Sequence, residues 1–114
     1  MSALAGRVMA KATPQELCKI FQTNTSAQAD KLAEAYLGTW LMVSGKIFDV
    51  IPDASKKYLN ITMHLGNPYP LVLTYFDKEL QQVAVLQRGH QVSILGRISG
   101  IDSTLVTLKE CELV

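Results

Sequence analysis

Two stretches of the chain share one alternation of apolar and polar positions, and this alternation is the strongest structural signal in the sequence. In each stretch, apolar residues at every second position run into a glycine and continue beyond it. The two series are Leu41, Val43, Gly45, Ile47 and Val92, Ile94, Gly96, Ile98. Period two is the side-chain repeat of a β-strand, and a glycine inside a strand marks a sharp bend or a bulge. The pattern therefore predicts curled strands that serve two sheets, as in a small β-barrel.

Helical spacing precedes the strands. The run TPQE at residues 13–16 is a capping box with proline at the first helical position, and it predicts a short helix ending near Gln22. The run TSAQ at residues 25–28 repeats the signal and predicts a helix of three turns that Gly38 ends. Its predicted inward face is Ala29, Leu32, Ala33, Tyr36 and Leu37. We expect this two-helix addition, residues 13–38, to pack over one end of the barrel, after a loose tail at residues 1–12.

The change to period two at Thr39 predicts a barrel domain over residues 39–114. Its predicted strands are residues 39–51, 57–65, 71–76, 91–99 and 104–113. Asp77 can cap a short helix between the third and fourth strands, with Leu80, Val83 and Ala84 inward. The third strand is apolar at both parities, so its facing stays open. In the fifth strand a bulge near Lys109 and Glu110 would bring four apolar residues to the core: Val106, Leu108, Cys111 and Leu113.

The composition and net charge of the chain restrict the kinds of partner and site to be expected. A chain of 114 residues with 48% hydrophobic content suits one domain with a real core. Its net charge of +1 is far from that of a strong duplex-DNA binder, so a nucleic-acid site must be a local patch. Cys18 and Cys111 lack metal-ligand spacing and are expected to be buried, reduced thiols. No apolar run approaches a membrane span and no leader is recognisable, which predicts a cytoplasmic protein, although an exported form lacking its leader would look the same.

Five strands with a short helix between the third and fourth follow the order of the OB-fold, a five-stranded Greek-key barrel. The runs YLGTWLMVSGKI, LQRGHQVSILGRI and LKECEL at residues 36–47, 86–98 and 108–113 resemble the tRNA-anti-like family of bacterial OB-fold proteins. The resemblance covers residues 13–114 and implies a barrel related to anticodon-binding domains. Some members look like exported lipoproteins, but no lipobox cysteine lies near the start of this chain.

The candidate binding surface follows from how OB-folds bind single strands, on the second and third strands and the adjoining loops, by stacking and by a basic groove. The outward parity of the predicted strands gives eight candidates: Lys46, Phe48, Lys56, Lys57, Tyr58, His64, Tyr69 and Arg97. The alternative is structural. The helices could cover Phe48 and Trp40, and the two lysines before Tyr58 could belong to a solvated turn.

Two functions stay open at this point. The first is a non-enzymatic binder of single-stranded DNA or RNA with little sequence preference. The second is a protein-interaction module, such as an adaptor, an inhibitor or a homodimer, because four apolar residues have outward parity: Met42, Leu71, Leu73 and Leu95. No catalytic residue, metal site or cofactor is expected, because the sequence has no phosphate loop, no dinucleotide fingerprint and no convergent titratable cluster.

Overall fold

Residues 7–65, 70–77 and 81–114 are described in a computed structural model of the chain. Two helices come first, α1 (Pro14–Thr23) and α2 (Ser26–Ala33), followed by strands β1 (Trp40–Pro52), β2 (Tyr58–His64) and β3 (Leu71–Asp77). A one-turn helix α3 (Gln81–Ala84) then leads to β4 (Gln91–Ile101) and β5 (Leu105–Leu113). The strands close into a barrel in the order β1-β2-β3-β5-β4. The β3–β5 pair is parallel and the other neighbours are antiparallel. The predicted five-stranded OB-fold with amino-terminal helices is confirmed.

The interior is built from alternate positions of every strand. Leu41, Val43 and Ile47 of β1 are buried, as predicted. The facing of β3, which the sequence left open, is settled by burial of Val72, Thr74 and Phe76. The hydroxyl of Thr74 donates to the Ile61 carbonyl at 2.9 Å, so this buried polar group is satisfied.

Two bulges change which side chains reach the surface. In β1, Ile47 pairs with Met63 and Asp49 pairs with Thr62, so Phe48 is an extra residue on that strand. In β5, Lys109 and Glu112 are three positions apart, whereas their β4 partners Arg97 and Leu95 are two positions apart. The predicted bulge is thus confirmed. Glu110 adopts φ +54° there, and the four apolar residues Val106, Leu108, Cys111 and Leu113 all pack in or against the core.

Both ends of the barrel are closed by helices. Leu17 and Cys18 of α1 are buried in the core cluster, and two α1 side-chain amides anchor the helix across one end. The Gln15 amide donates to the Leu65 carbonyl and the Gln22 amide to the Ser103 carbonyl, each at 2.7 Å. At the other end α3 follows β3 and buries Val83. The barrel interior is therefore filled by side chains from end to end. Among the residues described, none of the helices is long and apolar enough to cross a bilayer.

Helix α2 is shorter than predicted. It ends at Ala33, because the Tyr36 amide donates to the Ala33 carbonyl in a tighter turn. Only its alanines are buried, while Leu32 and Leu37 are 50% and 44% exposed. Gly38, at φ +85°, donates to the Ile98 carbonyl and brings the chain into the sheet. The predicted third turn and the inward facing of Leu32 and Leu37 were wrong.

A segment before the first helix lies beside the start of β1. The Trp40 amide donates to the Val8 carbonyl and the Ala10 amide donates to the Trp40 carbonyl, both at 2.8 Å. Met9 thereby forms a parallel bridge with Trp40. This pairing extends the sheet by one short segment. The sequence did not predict it, because residues 1–12 show no period-two alternation.

Arg7 holds the same segment against the outside of the barrel. Its guanidinium lies 4.0 Å from the centre of the Trp40 ring and forms an ion pair with Glu112. Trp40 and Glu112 lie on the strands on either side of β4, so Arg7 joins the two neighbours of β4 on the outside of the barrel. Leu95 is fully buried. The expectation that Leu95 is an exposed apolar residue was wrong.

The two cysteines are free, buried thiols, and they link stability to pH. Burial raises the pKa of Cys18 to about 11, with a smaller contribution from Asp102, and raises the pKa of Cys111 to about 12. A thiol in an unfolded chain titrates near ~8.5. The unfolded chain therefore loses these protons first, so the stabilisation is complete below about pH 8.5 and is lost as pH rises toward the folded values.

We expect Cys111→Ala to reduce this pH dependence. Urea unfolding of both proteins from about pH 8 to pH 11 should show the free energy of unfolding falling more steeply in the wild type, because only the wild type must release the Cys111 proton on unfolding. The comparison cancels the lysines and tyrosines that titrate over the same range. Equal slopes for the two proteins would contradict the assignment.

Candidate nucleic-acid interface

A cleft of about 430 Å³ opens on the outside of the barrel, where residues of β2, β3, β4 and β5 meet. We call it the tyrosine cleft. Its lining residues are Tyr58, Tyr75, Asp77, Arg97, Lys109, Glu110 and Cys111. Aromatic rings, two cations and two carboxylates therefore face one another across a few strands.

The aromatic wall of the cleft comes from the pairing of β2 with β3. Tyr58 opens β2 opposite Asp77, and Tyr75 lies opposite Asn60 two residues further along. The two tyrosine rings pack edge to face, with centroids 5.7 Å apart, an arrangement that aromatic pairs prefer. Tyr58 is 43% exposed. A ring fixed by its neighbour and open on its other side can accept a flat ligand without reorganising.

The charged wall comes from β4 and β5. Lys109 places its ammonium 5.5 Å from the centre of the Tyr75 ring, within the range of a cation–π contact. Arg97 donates to the Glu110 carboxylate at 2.9 Å. This pair is exposed on both sides, so it contributes little to stability and can open for a ligand.

The turn between β1 and β2 borders the cleft. Hydrogen bonds from the hydroxyl and the amide of Ser55 lower the pKa of Asp53, and the charge of Lys109 lowers it further. Asp53 therefore lies within electrostatic reach of the cleft. Lys56 is left-handed at φ +60°. With Lys57 it forms the exposed rim just before Tyr58.

A second aromatic pair lies at the other end of β2. The rings of Phe48 and His64 meet edge to face with centroids 4.4 Å apart, and Phe48 is 57% exposed. The helices do not cover Phe48, and the β1 bulge carries it outward. Beside it, a hydrogen bond from Arg88 lowers the pKa of Asp49. Tyr58 and His64 are six positions apart along β2, which places the two aromatic pairs about 20 Å apart.

The structure distributes the predicted site residues over these two places. Four lie at or beside the tyrosine cleft: Lys56, Lys57, Tyr58 and Arg97. Three lie at the far end of β2: exposed Lys46, two positions before Phe48, and the pair Phe48 and His64. Tyr69 lies outside the described residues. The sequence interpretation missed Tyr75 and Lys109, although the polar interruption KE in the last strand marked the bulge that presents Lys109.

Metal-binding geometry is not seen in the described part of the chain, where no group of three or more histidine, cysteine or acidic residues could hold an ion. The buried thiol of Cys111 forms part of the cleft wall, and its raised pKa, about 12 because of burial, keeps it neutral at physiological pH. The cleft thus offers surfaces for binding, from stacking rings and hydrogen-bonding charges.

Comparison with known proteins places this geometry in a wider group. The family model described as tRNA_anti-like matches residues 5–112. The structure of a protein from Klebsiella pneumoniae subsp. pneumoniae MGH 78578, described as a "putative nucleic acid-binding lipoprotein", is similar at a TM-score of 0.66 and 23% identity, over 93% of this chain and 92% of that one. The structure of OBody AM3L09 bound to hen egg-white lysozyme is similar at a TM-score of 0.52 and 14% identity, over 70% and 85% of the two chains. At these identities the likenesses establish the fold. No curated protein matches the chain.

Proposed function

Because the chain belongs to the tRNA_anti-like family, we propose that it binds single-stranded nucleic acid on the outside of the barrel, with little sequence preference and without catalysis. The observation that carries the proposal is the tyrosine cleft, which joins a stacking surface to cations across four strands. The fold class of nucleic-acid-binding barrels supports it at a coarse level.

Stacking is the first source of affinity. Tyr58 and Tyr75 hold each other edge to face, so a base that stacks on the open side of one ring does not have to order the ring first. Each base stacked on an aromatic side chain contributes about 1–3 kcal/mol. Since every base has a π-face, this contribution is tolerant of sequence, which supports a binder with little preference.

Cationic side chains are the second source of affinity. Lys57 lies at the rim, and Arg97 and Lys109 lie in the cleft wall. These side chains can neutralise the backbone phosphates that flank the stacked base. The acidic groups of the cleft offset part of this charge. Affinity should therefore be moderate and strongly dependent on salt.

The surface of β2 supplies a path for the strand. From Tyr58 to the Phe48–His64 pair is about 20 Å, which a single strand covers in at most roughly six nucleotides, because the ~3.4 Å spacing of a stacked duplex strand is the shortest case. Binding sites of about 4–16 nucleotides are usual for one OB barrel. A strand that starts in the tyrosine cleft can therefore reach Phe48 and the exposed Lys46.

Fluorescence anisotropy with a labelled 12-residue oligo-dT tests the proposal. We expect a dissociation constant of roughly 1–100 µM at low salt that weakens as salt rises. Lys57→Gln and Arg97→Gln should each weaken binding and lower the slope of log K against log salt by about 0.7, because each removes one phosphate contact to a single strand. Lys31→Gln is the matched control, since Lys31 is exposed on α2.

Absence of saturable binding at about 100 µM protein and low salt would end the nucleic-acid proposal. Equal losses in Lys31→Gln and Arg97→Gln would show that the contacts are not in the cleft.

A protein-interaction role is the alternative, and the structure weakens one of its supports. Of the four outward apolar residues that suggested it, Leu95 is buried and Leu71 and Leu73 are half-buried, while Met42 is 38% exposed. Light scattering tests the homodimer form of this alternative. A cytoplasmic location stays a prediction, since the Klebsiella neighbour is described as a lipoprotein.

A further inference from the structure

The tyrosine cleft carries charges of both signs, whereas a phosphate-binding groove is mainly positive. Asp77 and Glu110 line it together with Arg97 and Lys109, so its cations are balanced by two carboxylates. The carboxylates repel phosphates, so the backbone phosphates of a bound strand should remain at the exposed edge of the cleft, near Lys57 and the half-exposed Arg97. What fits beside the carboxylates is a neutral group with hydrogen-bond donors.

A nucleobase is such a group. The cleft volume of about 430 Å³ falls in the usual range of small-ligand sites, about 300–1,000 Å³. Two tyrosine rings form one wall, and the neutral thiol of Cys111 is part of the lining. A base can lie with its face against a ring and its edge toward the charged wall.

The charged wall can read the edge of that base. An ionised carboxylate only accepts hydrogen bonds, and it has about four lone-pair sites. The bond from Arg97 at 2.9 Å uses one oxygen of Glu110, which leaves capacity for a second donor. Carboxylates accept from the exocyclic amino group of cytosine. Uracil has a carbonyl oxygen at the same position, which would face the carboxylates with no proton between them.

We propose that the tyrosine cleft holds one unstacked base of the bound strand and prefers a base with an exocyclic amino group, so that cytosine binds better than uracil. Asp77 and Glu110 are the specificity-determining residues. This inference rests on the proposed function, and it adds one selective position to a strand that is otherwise bound by stacking and charge.

Oligo-dC and oligo-dU of 12 residues test it, because the two bases differ at the position-4 substituent and the protonation of the adjacent ring nitrogen. At pH 7.5 and fixed salt, oligo-dC should bind at least about fivefold more tightly. Glu110→Gly should reduce this ratio to within about twofold. Glycine is chosen because Glu110 has φ +54°, a conformation that glycine adopts without strain, so the variant keeps the fold. Asp77→Asn should also reduce the ratio, because its amide can donate to the uracil carbonyl.

The outcomes separate the inference from the function beneath it. Glu34→Gln, at the exposed end of α2, is the control and should keep the wild-type ratio. Equal binding of oligo-dC and oligo-dU would overturn the base preference and leave the proposed function standing. A preference that persists in both cleft variants, with thermal melting confirming that they fold, would overturn the assignment to this cleft. Failure of both oligonucleotides to bind wild-type protein would overturn the proposed function and the inference together.

Discussion

Gly96→Ala should lower the free energy of unfolding by about 2–3 kcal/mol, the upper part of the usual range for overpacking a core. A Cβ atom at this position would lie 2.6 Å from the sulfur of Cys111 and 2.8 Å from the Cβ of Leu108. The sulfur belongs to a short side chain and the second atom is fixed to the β5 backbone, so neither can move aside alone. Urea unfolding of wild type and variant measures the loss.

Gly100→Ala is the matched control, because it makes the same substitution four residues later in the same strand. Its Cβ would find Thr107 at 3.7 Å, which is ordinary contact, so this variant should be as stable as the wild type or more stable by about 0.4–1 kcal/mol, as glycine-to-alanine changes without strain are. A double variant, Gly96→Ala with Cys111→Ala, should recover part of the loss, with a coupling of about 0.5–1.5 kcal/mol. Equal effects at Gly96 and Gly100, or strict additivity with Cys111→Ala, would refute the packing explanation.

Tyr75→Ala and Tyr58→Ala should each weaken binding of a 12-residue oligo-dT by about 5- to 150-fold, the equivalent of ~1–3 kcal/mol per stacked base. Tyr75 was outside the sequence-based site, and its role follows from its edge-to-face contact with Tyr58 and from Lys109 over its ring. Removing either ring also frees the other to rotate, so the two losses should be less than additive. Anisotropy titrations of the single and double variants, with melting curves to confirm folding, measure this.

Phe48→Ala is the internal comparison for these variants. Because Phe48 lies about 20 Å along β2 from Tyr58, its removal should weaken a 12-residue oligonucleotide and leave a 3-residue one unaffected. The tyrosine variants should weaken both. If Phe48→Ala reduced binding of the short oligonucleotide as much as Tyr75→Ala does, the strand would follow a different path across the barrel.

The strands were predictable from sequence because period-two alternation is a direct consequence of one-sided burial. Both glycines of the repeated pattern lie within strands of the closed barrel. The end of α2 was not predictable in the same way, since Leu32 and Leu37 fall at helical spacing yet are half-exposed. Pairing of Gly38 with Ile98, a contact with a strand sixty residues later, decides where that helix stops.

The site was harder to predict than the fold because it depends on register. Tyr58 and Arg97 could be chosen from parity alone, but whether they share a cleft depends on bulges in β1 and β5 that shift one strand against its neighbour. Tyr75 lies in a strand with apolar residues at both parities, so the sequence did not predict which way it faces. Leu95 was misassigned because strand parity alone does not show which outward positions are covered, and Leu95 is fully buried.

The closure of the barrel by α1 at one end and α3 at the other has a consequence for how any ligand is recognised. In the described ranges, side chains fill the barrel interior, so a ligand is expected to bind on the outside, where water competes for each polar contact. Affinity then comes from many weak contacts spread over several strands. The packed apolar core keeps these contact residues in fixed relative positions, so replacing one exposed contact residue should leave the barrel intact.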